Sequence, residues 1–222
     1  MKSIVNEWYE DKNNVDEMVH WINGKLKKWE QDVTHYFPKC ARILDIGCGM
    51  GREAFALSDL GFTVTGIDIS HEVIKQVTQL SLHQGRKIPF ICYEGTNLPF
   101  ENESFDVVII WAQTFGLLYG NDHKHNFLKE ILRVLKADGI LSFSDHDYKY
   151  EMEHYKNCMK GRNFYPYANT KMHWETFYLE ELISFAENAG YTILLSGKGE
   201  IYKPEDGTVL HCLCKKVYDL IA

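Results

Sequence analysis

The chain has no apolar run of membrane-spanning length, and its opening residues, MKSIVNEWYEDKNN, lack the apolar core of a signal peptide. Neither membrane insertion nor export is expected. It also lacks an excess of positive charge. The formal net charge is −7, whereas a nucleic-acid surface needs clustered Lys and Arg. An extended nucleic-acid surface is therefore not expected, although a local basic patch is compatible with that balance. There is no C-x-x-C pair among the six cysteines. Cys212 and Cys214 come closest, and alternate positions on a strand put both thiols on one face. The cysteines read as reduced and cytoplasmic, with no zinc or other metal site. Internal repeats, linkers and low-complexity segments are absent too. What remains is 222 residues, 45% of them hydrophobic. That is enough for one α/β domain with a full core, or a core domain plus a lid.

The richest stretch is Arg42-Ile-Leu-Asp-Ile-Gly-Cys-Gly-Met-Gly-Arg52. Ile43, Leu44 and Ile46 form a short apolar run interrupted by Asp45, the pattern of a strand buried on both faces. Gly47, Gly49 and Gly51 follow at alternate positions. Helical spacing then resumes with Ala54, Phe55, Leu57 and Leu60. Strand, glycine turn and helix bring free N–H groups to a place where a ligand can meet the main chain. The dinucleotide fingerprint G-x-G-x-x-G fits poorly from Gly47, where its third position is Arg52. It fits better from Gly49, through Gly51 and Ala54. Asp45 separates the two readings. A carboxylate two residues before the first glycine would repel a pyrophosphate and suit an ammonium group. The string Leu-Asp-Ile-Gly-Cys-Gly-Met-Gly, 44–51, resembles the first motif of the class I S-adenosylmethionine-dependent methyltransferases, in particular their small-molecule, methyltransferase-11-like members.

Along the chain, Val15, Met18, Val19, Ile22, Leu26, Trp29, Val33 and Tyr36 predict one amphipathic helix over 15–36. Asn14 and Glu17 are its expected cap and Pro38 its stop. It packs on the core or covers the cofactor, with Trp8 or Tyr9 as the closing residue. A second strand, 63–68, ends at Asp68, and Ser70 caps the helix after it. The third strand, 88–92, leads into Tyr93-Glu-Gly-Thr-Asn-Leu-Pro-Phe100, which resembles the family segment G-D-A-x-x-L-P-F. The fourth, 104–111, carries the Ser-Phe-Asp-Val-Val run, with Asp106 read as structural. A helix over 123–135 ends in Leu-Lys-Ala-Asp-Gly, 135–139, similar to the family's L-K-P-G-G turn. A fifth strand follows at 140–145. Residues 146–175 break this rhythm and are dense in Tyr, His, Phe and Trp. A helix at 178–189, capped by Thr176 and stopped by Gly190, precedes strands at 191–196 and 208–214, joined by a turn with Pro204 and Gly207.

The expected fold is therefore α/β: a Rossmann-like three-layer sandwich around a seven-stranded, mostly parallel sheet whose last strand is antiparallel. One domain spans 1–222, with an N-terminal helical cover over about 1–38 and an insert or lid over about 146–175. The resemblance runs over roughly 40–215, and it is weakest in those two segments. It implies that the cofactor is S-adenosyl-L-methionine, leaving as S-adenosyl-L-homocysteine. It further implies a role for each matched residue. Gly47, Cys48 and Gly49 meet the methionine end, and Asp45 answers its ammonium group directly or through water. Asp68 takes the ribose hydroxyls and Ile69 lies against adenine. Glu94 and Gly95 read the adenine edge. The main chain at Trp111 and Ala112 touches the methionine moiety.

Methyl transfer is an in-line displacement, so the protein must align the acceptor and exclude water. A base is needed only where the attacking atom carries a proton. His146 is the candidate, with His123 and His173 behind it. The N/D-P-P-Y run of nucleic-acid amino-methylating enzymes is missing, as is a Pro-Cys nucleophile. Metal-dependent catechol-type enzymes place an acid where this chain has Trp111. Asp145, His146 and Asp147 are consecutive, and consecutive strand residues point opposite ways. The expected activity is methyl transfer to a small-molecule acceptor. An RNA methyltransferase and a cofactor-binding module without turnover stand as alternatives, and a nicotinamide-dependent oxidoreductase is disfavoured. The acceptor, its attacking atom and the oligomeric state stay open.

Overall fold

A strand with Ile43, Leu44 and Ile46 buried can only sit in the middle of a sheet covered on both faces. The computed structural model, which describes residues 4–18, 25–168, 170–201 and 207–217, places it there. In chain order the elements are α1 (Ile4–Glu10), α2 (Lys12–Met18), α3 (Lys28–Thr34), β1 (Arg42–Ile46), α4 (Arg52–Asp59), β2 (Thr63–Asp68), α5 (His71–His83), β3 (Phe90–Cys92) and β4 (Phe105–Ile110). A 3₁₀ turn (Thr114–Leu117) then leads to α6 (Asn121–Val134), β5 (Leu135–His146) and α7 (Tyr148–His154). The short strands β6 (Met159–Lys160), β7 (Asn163–Phe164) and β8 (Trp174–Glu175) precede α8 (Leu179–Asn188), β9 (Tyr191–Glu200) and β10 (Thr208–Lys216).

The main sheet has seven strands in the order β3-β2-β1-β4-β5-β10-β9. β1 pairs in parallel with β2 and β4, β2 with β3, and β4 with β5, while β10 runs antiparallel to both β5 and β9. The period of two sorts the core. In β4, Val108 and Ile110 face α6 and α8, where they meet Phe127, Ile131 and Leu182. Val107 and Ile109 face α3 and α4, where they meet Trp29, Val33 and Leu57. Three layers result, as expected. Each such fully buried aliphatic side chain contributes on the order of 1.5–3 kcal/mol. A one-residue slip of β4 would therefore exchange the contents of both layers. Among the described residues, no helix is long and apolar enough to cross a membrane.

Several local expectations are corrected. The single helix over 15–36 is two: α2 ends at Met18, and residues 25–27 are not helical before α3. Glu30 causes the restart, because its carboxylate accepts from the main-chain N–H of Lys27 at 2.7 Å and caps α3 there. Asn14 lies inside α2 rather than at its start, and Asp11 accepts from the Asn13 N–H at 2.9 Å instead. Val19, Ile22, Pro204 and the side chain of Glu17 lie outside the described residues. Thr176 does not cap α8. Its hydroxyl donates to the Arg162 carbonyl at 2.7 Å, and Glu181 caps the helix through the Tyr178 N–H at 2.8 Å. The expected turn at 135–139 is taken up as a bulged lead into β5, whose register against β4 shifts between Phe105 and Val107. The insert over 146–175 has its own structure, α7 followed by an antiparallel sheet β6-β7-β8.

Candidate functional site

Parallel strands place their ligand sites at their carboxyl ends. Here those ends open into a cavity of about 1490 Å³. Gly47, Cys48, Gly49, Asp68, Ile69, Glu94, Gly95, Ala112 and His146 all line it. Asp45 and Trp111 do not.

The glycine turn forms the floor. The N–H groups of Gly47 and Cys48 both donate to the Ile67 carbonyl, at 2.9 and 3.0 Å, which ties β1 to β2. Gly47 has a φ of 72°, and a Cβ there would lie 2.5 Å from the Thr114 side chain. Only glycine satisfies both conditions. Asp68 is joined to the same turn. Its carboxylate accepts from the Gly49 N–H at 3.2 Å and from the Ser70 N–H at 3.0 Å. Burial pushes its carboxyl up to about 6, against these main-chain hydrogen bonds. Ser70 caps α5 as expected, accepting from the Val73 N–H at 3.1 Å, and its hydroxyl donates to the Tyr9 carbonyl at 2.8 Å. That bond docks α1 at the cavity mouth, where Trp8 and Tyr9 line the wall.

Asp45 lies under the turn, buried, with its Oδ2 lacking a hydrogen-bond partner. Burial, then the Glu53 charge, push its carboxyl well above the usual carboxylate range, and Arg52 opposes them. A cluster that sequence reasoning missed surrounds it. Arg52 donates to both oxygens of the buried Glu30, each at 2.7 Å, and also pairs with Glu53. Lys27, Arg52 and Glu53 reach the cavity wall. Arg52 and Glu53 follow the glycines directly, so their place was readable. Lys27 was hidden by the break in the helix.

The chain leaves β4 through two consecutive non-glycine residues in the left-handed region, Ala112 with φ 52° and Gln113 with φ 63°. Such positions cost about 1–3 kcal/mol each and cluster at ligand sites. The Trp111 indole turns the other way. It packs in the core against Trp29 and Phe37, with centroids 5.4 and 6.4 Å away, and donates to the Ser142 hydroxyl at 2.9 Å.

His146 ends β5 and lines the same cavity. Its Nδ1 is 3.0 Å from Glu151 Oε1, and Phe164 and Trp174 meet its ring edge-on. Glu151 is buried, and no sequence signal marked it. Its neighbours diverge: Asp145 accepts from the His146 N–H at 2.7 Å in the core, whereas Asp147 caps α7 and pairs with Lys198. His123 also lines the cavity. His173 stacks on Tyr119 at 4.3 Å, with its Nδ1 3.2 Å from the Lys171 carbonyl, and lies off the wall.

Residues 43–139 match the family model described as a methyltransferase domain. The Bacillus subtilis protein YqeM, whose name carries the word methyltransferase, is 31% identical over 119 residues, 54% of this chain and 48% of its own. A 2-methyl-6-phytyl-1,4-hydroquinone methyltransferase from Synechocystis is 38% identical over 109 residues, 49% of this chain and 33% of its own. The chain thus spans about half or less of the length of these two curated relatives. An SAM-dependent methyltransferase from Methanosarcina mazei shares the fold, with a TM-score of 0.75 at 22% identity, over 85% of this chain and 98% of that one.

Proposed function

The chain belongs to the class I S-adenosylmethionine-dependent methyltransferases, and we propose that it methylates a small-molecule acceptor bound beside that cofactor in the cavity of about 1490 Å³. The cavity's size is the observation that carries this reading. A pocket for one drug-sized ligand occupies about 300–1,000 Å³, so this one has room for a cofactor and a further small molecule.

The residues present suit the cofactor. Gly47, Cys48 and Gly49 bring the turn to the cavity wall, and Asp45 holds a buried, unpartnered oxygen beneath it. An ammonium group is the partner that such a carboxylate lacks. Asp45 and Glu53 answer the cationic end of the methionine moiety, and Lys27 with Arg52 answer its carboxylate. Asp68 accepts from the ribose hydroxyls, while Ile69, Glu94 and Gly95 hold the adenine. When bound, the cofactor supplies a methyl group on a sulfonium leaving group. The chain's own residues orient the acceptor and keep water out. Trp8 and Tyr9 from α1, with Phe164, Tyr167 and Trp174 from the insert, form the cover. His146 is the base.

A small acceptor suits the wall better than RNA does. Glu10, Glu53, Asp68 and Glu94 stand there against Lys27 and Arg52, and phosphate binding calls for the opposite balance. Calorimetry with S-adenosylhomocysteine and with NAD tests the reading. Micromolar binding of the first and none of the second is expected, and the reverse would sink it.

A further inference from the structure

We infer that the acceptor is a flat, uncharged aromatic or heteroaromatic hydroxyl compound, which His146 deprotonates with Glu151 as its positioning residue; this rests on the methyl-transfer reading above. His146 is held from three sides. Glu151 Oε1 lies 3.0 Å from its Nδ1, and Phe164 and Trp174 meet the ring at centroid distances of 5.1 and 5.9 Å. Glu151 is buried, its second oxygen has no hydrogen-bond partner, and His146 is the side chain it meets. A carboxylate so placed fixes the hydrogen on Nδ1 and leaves the Nε2 lone pair as the base. Such an arrangement has use only where the attacking atom carries a proton. An aromatic amine or a pyridine-type ring nitrogen attacks through a lone pair it already has. A phenolic hydroxyl, with a pKa of about 10, must lose its proton as it attacks.

The walls near this base are aromatic. Trp8 stacks on Tyr167 at 4.8 Å, and Tyr167 lies 6.0 Å from Trp174. Rings in contact at these spacings make a continuous aromatic wall that favours a flat ring laid against it. Charge narrows the class further. The two wall cations, Lys27 and Arg52, belong to the cluster with Glu30 and Glu53 at the glycine turn. Among the described residues no Lys or Arg outside that cluster lines the cavity, so a carboxylate or phosphate acceptor would find no such counter-charge there. In the step itself, His146 Nε2 takes the hydroxyl proton as the oxygen bonds the methyl carbon and the carbon–sulfur electron pair returns to sulfur. The products are the methyl ether, the neutral thioether and a proton that the imidazole passes to water.

The test uses the full chain saturated with S-adenosylhomocysteine, titrated calorimetrically with 2-naphthol, decahydro-2-naphthol and 2-naphthoate. The expected result is 2-naphthol binding at least about tenfold tighter than either other probe. Nitrogen-15 NMR of His146 is the second readout. The neutral ring should carry its hydrogen on Nδ1 in the native chain and in Glu151→Gln, and on Nε2 in Glu151→Leu. Methylation of 2-naphthol should fall at least about tenfold in Glu151→Leu and recover in part in Glu151→Gln. Equal binding of 2-naphthol and its saturated analogue overturns the aromatic class, and tighter binding of 2-naphthoate overturns the charge argument. An unmoved hydrogen in Glu151→Leu overturns the positioning role. Failure to bind S-adenosylhomocysteine at all would instead overturn the methyl-transfer reading and this inference with it.

Discussion

Asp68 and Gly49 are tied across the cavity floor: the carboxylate at the end of β2 accepts the glycine N–H at 3.2 Å. The proposed ribose acid thus also holds the turn that meets the methionine end. Asp68→Ala should weaken S-adenosylmethionine binding by about 1–3 kcal/mol, the range for leaving buried polar groups unpaired. The helix cap should survive, because Ser70 supplies it. Asp68→Asn keeps an acceptor for the Gly49 N–H and should lose less. Calorimetry on both variants checks this, and an unchanged dissociation constant in Asp68→Ala removes the residue from the site.

The same group makes a pH prediction. Its carboxyl lies at about 6 rather than 3.8, chiefly through burial. The folded chain therefore holds its proton where the unfolded chain has lost it. Asp68 stabilises the fold fully below 3.8, and that contribution is lost as pH rises towards about 6. Binding to ribose runs the other way, since hydroxyl donors favour the carboxylate. Cofactor affinity should therefore fall as pH drops below about 6, by up to roughly tenfold per pH unit. Asp68→Asn should flatten that profile.

Gly47→Ala should damage both fold and binding. The new Cβ would sit 2.5 Å from the Thr114 side chain at a φ of 72°. The backbone penalty alone is about 1–2 kcal/mol. Thr114→Ala removes the nearest atoms, so the double variant should regain the steric part and keep the backbone part. Thermal melts of the two single variants and the double variant separate these contributions. Simple additivity would show that the two loops do not touch.

The local pieces of this site were legible because local chemistry sets them. Ile43, Leu44 and Ile46 call for a buried strand, three alternate glycines for a turn, and Ser70 for a cap. The pieces built from distant partners were not. Glu30 starts α3 by capping at Lys27, while also gripping Arg52 on a different element. Periodicity over 15–36 continues through that break without a mark. His146 and Glu151 meet only because β5 ends and α7 begins between them. The resemblance puts the main chain of Trp111 and Ala112 beside the methionine moiety. Of the two, Ala112 lines the cavity, while the Trp111 indole fills the core.

Asp45 yields the sharpest contrast between stability and binding. Its carboxyl is buried, is pushed well above the usual range, and leaves Oδ2 without a hydrogen-bond partner. A group in that position gains little from its charge in the free chain, because burial and the neighbouring Glu53 both disfavour ionisation. Asp45→Asn replaces it with a neutral group of the same shape. The free chain should therefore melt within a few degrees of the native one, or slightly higher, since a change near zero in free energy moves the midpoint little. The bound state has the opposite need. An ammonium group seated on the cavity face of the glycine turn would favour the charged form of Asp45 and meet its unpartnered oxygen directly or through water, and a charge-assisted hydrogen bond of that kind contributes about 1.5–3 kcal/mol. Asp45→Asn should thus lower S-adenosylmethionine affinity by roughly ten- to a hundredfold with no matching loss of stability. Adenosine lacks the amino-acid end, so its affinity should stay unchanged. Equal losses for adenosine and S-adenosylmethionine would mean that the substitution distorts the turn rather than removing a partner for the ammonium group.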